Sequence, residues 1–380
     1  MKIERIIQEV GNMMKNNESI SKSQFVLLLL QSQIGVGLLS LPYIVYIDAK
    51  NDGWISILIA GCGAFIILLI MWALCKQFPR DSIFDFNNII VGKIIGKTIS
   101  LLYIFYFFAL SILIVLLSTN MLKKWILALT PEWILILFFI GVGVYLSRES
   151  LKIISRFYAF VTILIVLLVL LLLFAYSDVN VKYVFPVGHA GLKNIFIGSH
   201  DAIVSMLGFE IFLAVHPLIQ ADHNKKLLCG TISLLSVTLL YLYFTITSYI
   251  VFSPEEMLLV PEPILYMLKS FSFELVERLD LVFLSVWIVP MTTSFVTYLY
   301  LTSVGVSKLF NQKNHKNTTF KVGILVIVIA ILFPKSEGML DKYGKIIAFS
   351  SYFFILFIPL LLLVIWLIRK ELGKGKEYDA

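Results

Sequence analysis

Apolar residues in this chain come in long unbroken runs rather than in the narrow stripes of a surface helix. About 20 consecutive apolar residues span the ~30 Å hydrocarbon core of a bilayer. Ten runs fit that ruler: 24–46, 54–76, 98–120, 131–147, 157–176, 202–218, 227–252, 281–305, 322–334 and 347–368. The ninth, VGILVIVIAILFP, is short, and the eighth is long enough to tilt. Two connections are too long for turns: YSDVNVKYVFPVGHAGLKNIFIGSH before the sixth run and SPEEMLLVPEPILYMLKSFSFELVERLD before the eighth. Each holds a mildly amphipathic stretch, such as 264–273, expected to lie against the bundle. The pattern predicts a cytoplasmic segment 1–23, one transmembrane domain over 24–368 and a cytoplasmic tail 369–380.

Composition agrees. Of 380 residues, 59% are hydrophobic and 14% charged, against about 45–50% and about 25% in soluble domains. A soluble core cannot hide this much Leu, Ile and Phe, so the class is an all-α membrane protein. The net charge of +7 is no nucleic-acid signature, because the basic residues sit in short loops and form no stripe along a phosphate backbone. They report topology instead. With both termini and the loops after runs two, four, six and eight on one side, that side holds 21 of the 31 Lys and Arg. The positive-inside bias then predicts that both termini face the cytoplasm. Cys62, Cys75 and Cys229 all lie in apolar runs and read as buried thiols. The histidines His200, His216 and His223 have no metal-ligand spacing, so neither metal nor cofactor is expected.

The first run contains QSQIGVGLLSLP, with Gly35, Gly37 and Pro42 near its middle. Gly-x-Gly either opens the helix or lets a neighbour pack closely. Opened backbone survives in a membrane only against protein or a cavity. The sixth run, AIVSMLGFEIFLAVHPLI, has Gly208 and Glu210 at its centre. Runs one and six open two successive sets of five, about 24–176 and 202–368. Interrupted helices at matching places in two halves point to the binding site of an inverted-repeat transporter. Half-helix amides there suit a carboxylate and freed carbonyls suit an ammonium. The expected ligand is a small zwitterion, an amino acid.

The residues IGVGLLSLP, LGFE, RESLKIISRF and ERLD, in this order, resemble the spore germination permease family, the B subunits of nutrient germinant receptors. That family falls within the amino acid–polyamine–organocation transporter superfamily. The resemblance covers about residues 20 to 370. It implies a LeuT-like 5+5 inverted repeat with about ten transmembrane helices, helices 1 and 6 broken. It also implies an A subunit and a lipoprotein C subunit as partners, and the bacterial spore inner membrane as location.

Carried onto this sequence, the resemblance gives Gly35, Val36, Gly37, Leu207 and Gly208 as ligand-facing backbone. Tyr106 and Leu110 in the third run, and Ser294 and Tyr298 in the eighth, are the expected flanking side chains. Each pair lies one helical turn apart on a shared face. Glu210, an ionisable group at the bilayer centre, is a functional candidate by default. It reads as a gating or structural carboxylate clamping the break, or as a direct ligand contact. Thr292, Thr293 and Ser294 could offer hydroxyls to sodium. Arg148, Glu149, Lys152 and Arg156 read as a topology anchor, and Glu277, Arg278 and Asp280 as an outer gate. No nucleophile–base pair and no phosphate loop is present, so no enzyme is expected. The implied function is a nutrient-sensing germinant-receptor subunit; the alternative is a secondary amino acid transporter coupled to protons or sodium.

Overall fold

Ser21 starts the first helix. Its hydroxyl accepts from the Gln24 amide while the Gln24 side chain accepts from the Ser21 amide, a capping box that satisfies two orphan donors. The helix Lys22–Gln33 stops at Ile34, whose backbone is extended at φ −83° and ψ 105°. It resumes as Gly37–Ala49. This computed structural model describes residues 19–35, 37–177, 179–271, 278–312, 314–334 and 336–378. Lys50, at φ 49°, turns the chain back into Gly53–Gln77.

Every apolar run becomes helix. The third span is Lys93–Trp125, the fourth Glu132–Ser147, and the fifth runs from Leu151 to Ser177. The sixth is broken into Gly191–Ser205 and Phe209–Leu218, bent by 53°. His223–Val251, Leu279–Leu309 and Lys316–Leu332 follow, and the tenth span opens with Glu337–Tyr352. A π-turn at Phe353–Phe357 then leads into Ile358–Tyr378. Among the described residues, six helices are singly long and apolar enough to cross a membrane, and the bent pair makes a seventh. The remaining spans miss that threshold because they are short or cut in two.

Several features depart from the apolar pattern, among them a tenth span that opens at Glu337 rather than 347. The sixth span starts at Gly191 rather than 202, because its first turns carry Lys193, Asn194, Ser199 and His200, which dilute the hydropathy. A short helix, Ile83–Val91, fills the connection between spans two and three. It buries Ile83, Phe84, Phe86 and Ile90 against the bundle and is capped by Ser82 and Asp85.

Packing follows a five-span period. Span three packs on eight, two on seven, the second half of one on the first half of six, and four on nine. Span four lies against eight as nine lies against three, and two against ten as seven lies against the end of five. An odd number of crossings per set makes the second set start from the opposite face, so the repeat is inverted. This is the LeuT-like 5+5 arrangement. The large side chains left exposed, such as Ile94, Phe138, Phe160 and Phe349, lie on helices whose neighbours cover only one side. Hydrocarbon is the solvent that such faces require.

One further link ties the breaks together. Ile20 pairs with Ile219 as an isolated parallel bridge: the Ile20 amide donates to Leu218 (2.9 Å) and the Gln220 amide to Ile20 (3.1 Å). The segment entering span one is thereby fastened to the segment leaving span six.

Candidate functional site at the broken spans

A helix that stops inside a membrane leaves carbonyls without partners. At the end of Lys22–Gln33 those carbonyls are met by hydroxyls from neighbouring spans. Ser294 lies within hydrogen-bond distance of the carbonyls of Gln31 (3.1 Å) and Ile34 (2.9 Å). The Tyr241 hydroxyl, from span seven, sits 3.0 Å from the Gln33 carbonyl and 3.0 Å from that of Ser205. One hydroxyl therefore bridges the ends of both broken helices.

The glutamines at the entrance to the break hold the first half-helix in place. Gln31 donates to Thr162 of span five (3.2 Å) and accepts from Thr293 of span eight (2.9 Å). Gln33 donates to Ser233 of span seven (3.0 Å). Thr297 links the Ser32 hydroxyl (3.0 Å) to that of Tyr158 (2.8 Å). Polar side chains in lipid-embedded helices act as such interhelical ties.

The two breaks touch at glycine. Gly208 sits at φ 128°, a backbone that L side chains rarely adopt, and a Cβ there would collide with the Ser32 carbonyl. Gly37 faces Ser205, whose Cβ would lie 2.7 Å from a methyl added at Gly37. At Gly35 an added Cβ meets nothing within 4 Å. Gly37 and Gly208 are thus places of close approach, whereas Gly35 borders open space.

Glu210 is fully buried. One carboxylate oxygen accepts from the Gly208 amide (2.7 Å), the other from the Tyr298 hydroxyl (2.8 Å). Tyr106 is also buried, and its hydroxyl lies close enough to the Glu210 carboxylate to interact with it. Its ring stacks on Phe354 at 4.4 Å, in the π-turn of span ten. Tyr103, one turn earlier, donates to the Phe354 carbonyl (2.7 Å). The wider turn exposes a carbonyl, and the tyrosine takes it.

The candidates separate accordingly. Gly208, Tyr106, Tyr298 and Glu210 converge on one buried point, with Ser294 beside it on the first break. Leu110 and Leu207 are buried in the same core, and the Leu207 amide donates to the Val204 carbonyl (3.3 Å). Val36 lies outside the described residues. Thr292 bonds back to its own helix at Ile288 (2.8 Å), whereas Thr293 and Ser294 reach the first break. Glu149 pairs with Lys316 at the start of span nine (3.7 Å). Arg278 pairs with the buried Asp280 (2.6 Å), and Glu277 falls outside the described residues. Among the described residues, no group of three His, Cys, Asp or Glu could hold a metal ion.

Sequence reasoning missed Gln31, Gln33, Tyr241 and Phe354. A tyrosine in the apolar run of span seven was the available signal, because a buried phenol hydroxyl needs a partner.

The family model described as "Spore germination protein" matches residues 19–337. Spore germination protein YndE of Bacillus subtilis (strain 168) is 27% identical, over 94% of this chain and 99% of its own length. Spore germination protein A2 of the same organism is 28% identical, over 90% and 92%. Among solved structures, the nucleobase-cation-symport-1 family transporter MHP1 aligns with a TM-score of 0.60 at 12% identity, over 88% of this chain and 78% of that one. The manganese transporter of Eremococcus coleocola aligns at 0.60 with 14% identity, over 90% and 78%. At those identities the likeness is one of fold.

Proposed function

The chain belongs to the spore germination protein family, and from that premise we propose that it is the nutrient-sensing membrane subunit of a spore germinant receptor. It binds an amino acid or similar small nutrient where the broken spans meet. The observation that carries this reading is the fully buried Glu210 carboxylate, held by the Gly208 amide and the Tyr298 hydroxyl with Tyr106 beside it, at the junction of two interrupted helices. The nutrient carboxylate faces the amides that begin Gly37–Ala49, and its ammonium faces the carbonyls that end Gly191–Ser205. Gly35 supplies unobstructed approach. Glu210 acts as a clamp, since it already accepts the amide freed at Gly208.

Binding shifts the equilibrium between two arrangements of the bundle by its differential affinity for them. The bias passes to the A and C subunits expected of such a receptor, with no chemical step. The protein resides in the spore inner membrane with both termini cytoplasmic, its two repeats about 24–176 and 202–368, the second extended back to Gly191 by the first turns of span six. Thiol labelling of Lys2→Cys and Ala380→Cys tests the topology, and labelling of either from the outer side of intact membranes refutes it.

The functional test is a germination screen of spores lacking this protein against individual amino acids, sugars and nucleosides. Loss of response to one small nutrient, restored by the wild-type chain, is expected. An unchanged response to every compound would reject the receptor reading.

A second reading, an amino acid transporter coupled to protons or sodium, is favoured by one cluster. The Thr293 and Ser294 hydroxyls and the carbonyls of Gln31 and Ile34 form an all-oxygen set between spans one and eight. Sodium-dependent uptake of a labelled amino acid into vesicles would establish it, and absence of uptake in vesicles whose protein still binds that amino acid would exclude it.

A further inference from the structure

A cavity of about 330 Å³ lies at the far end of the first span, away from the broken helices. Three separate stretches line it: Tyr46 to Asp52 at the turn between spans one and two, Pro186 to Ala190 before span six, and Pro254 to Leu258 after span seven. Its volume is at the small end of ligand pockets, which run about 300–1,000 Å³.

Its walls are fixed by hydrogen bonds. Asp52 is buried, and its two oxygens accept from the amides of Gly188 (2.7 Å) and Ala190 (2.9 Å). Asn51 accepts from the Tyr46 hydroxyl (3.1 Å) and donates to the Phe185 carbonyl (3.1 Å). The third wall is set by a capping box in which Glu256 accepts from the Ser253 amide (2.8 Å).

These bonds engage Tyr46, Asn51 and Asp52; Lys50, His189 and Glu255 line the cavity outside that network. The Lys50 ammonium stands 5.8 Å from the centre of the Tyr46 ring. Glu255, the neighbour of the committed Glu256, is close enough to the same tyrosine to interact with it electrostatically. Among the described residues neither Lys50 nor Glu255 forms an ion pair with any partner. A pocket that presents both signs of charge beside an aromatic ring is complementary to a small molecule carrying both.

We propose that this cavity is a second binding site, for a free α-amino acid, whose carboxylate meets Lys50 and whose ammonium meets Glu255 and the Tyr46 ring. It rests on the nutrient-sensing reading only for the choice of amino acid. Two of its walls continue directly into Gly37–Ala49 and Gly191–Ser205, the halves that flank the breaks. Occupancy of the outer cavity therefore bears on the same helices that the central site uses.

The test uses the purified full chain in lipid nanodiscs and labelled L-alanine, then the other proteinogenic amino acids in turn. Two molecules bound per chain are expected, and one with Lys50→Gln or Glu255→Gln. Location is read separately in the Leu258→Cys variant, as its rate of modification by a charged methanethiosulfonate reagent. At ten times the dissociation constant, occupancy slows that reaction about tenfold. The protection disappears when Lys50→Gln or Glu255→Gln is added, and N-acetylalanine, which lacks the ammonium, gives none. A single bound molecule unaffected by the Lys50 and Glu255 changes overturns the outer site and leaves the central one standing. A single bound molecule lost with those changes removes the central site and keeps the outer one. If no amino acid binds, or if protection at Leu258→Cys survives both charge removals, the outer site is rejected.

Discussion

Replacing Glu210 separates a carboxylate that holds the break open from one whose charge is used. Both of its oxygens are engaged, one by the Gly208 amide at 2.7 Å and one by the Tyr298 hydroxyl at 2.8 Å. Glu210→Gln keeps an acceptor for the amide, and the Tyr298 hydroxyl can rotate to accept from the new side-chain NH2. Little stability is lost. Glu210→Leu strands two buried donors, each worth about 1–3 kcal/mol of desolvation, so about 2–6 kcal/mol in sum. Against a total stability of about 5–15 kcal/mol, that change depletes the protein from the spore membrane. The assay is germination rate against nutrient concentration for each variant, normalised to the amount of this chain in the membrane. The clamp role predicts near-normal response for Gln and loss of protein for Leu. A Gln variant that is abundant yet unresponsive would refute it, because only ionisation would then have been removed.

Gly208→Ala places a side chain at φ 128° against the Ser32 carbonyl, a strain of about 1–3 kcal/mol before any clash. Low abundance is expected, whereas Gly35→Ala, with open space at its Cβ, accumulates normally and responds only at raised nutrient concentration. Wild-type sensitivity in Gly35→Ala would make that glycine irrelevant to binding. Tyr241→Phe removes the hydroxyl shared by the Gln33 and Ser205 carbonyls and should cost about 1–3 kcal/mol. Thermal unfolding in detergent reads this, and an unchanged midpoint would show that the hydroxyl ties nothing. Burial alone would raise the Asp85 carboxyl, but the Lys308 ammonium and the Ser82 hydrogen bonds outweigh it and hold the pKa below 3.8. The contribution of this contact is present above about pH 4 and lost as pH falls through the depressed value. The difference in melting temperature between wild type and Asp85→Asn should therefore shrink between pH 7 and pH 3, and a constant difference would contradict the linkage.

The spans were legible because hydrocarbon imposes a length on apolar runs that no other solvent imposes. The break at Gly208 was legible too, since an acid two residues from a glycine in the middle of such a run has few structural explanations. The i, i+4 spacing of Ser294 and Tyr298 placed both on the face turned toward the breaks. Which hydroxyls cross between helices was not legible. Thr292 and Thr293 are adjacent and chemically identical, yet the first bonds back to Ile288, while the second lies within reach of Gln31 as well as of Pro290 in its own helix. That choice depends on helix rotation, which composition does not encode. The helix Ile83–Val91 was hidden for a different reason: its apolar stretch is too short for the bilayer ruler. The first turns of span six were hidden by polar residues that the bundle accommodates.

The bridge between Ile20 and Ile219 has a kinematic meaning. Four half-helices surround the breaks, but they are not four independent bodies. The bridge couples Lys22–Gln33 to the segment ending Phe209–Leu218, while the Gly37–Ser205 contact couples Gly37–Ala49 to Gly191–Ser205. Each coupled pair draws one member from each repeat. The assembly reduces to two levers crossing at a common fulcrum, with the Glu210 carboxylate and the Tyr241 hydroxyl at the crossing. The relative position of the two levers is then described by a single angle.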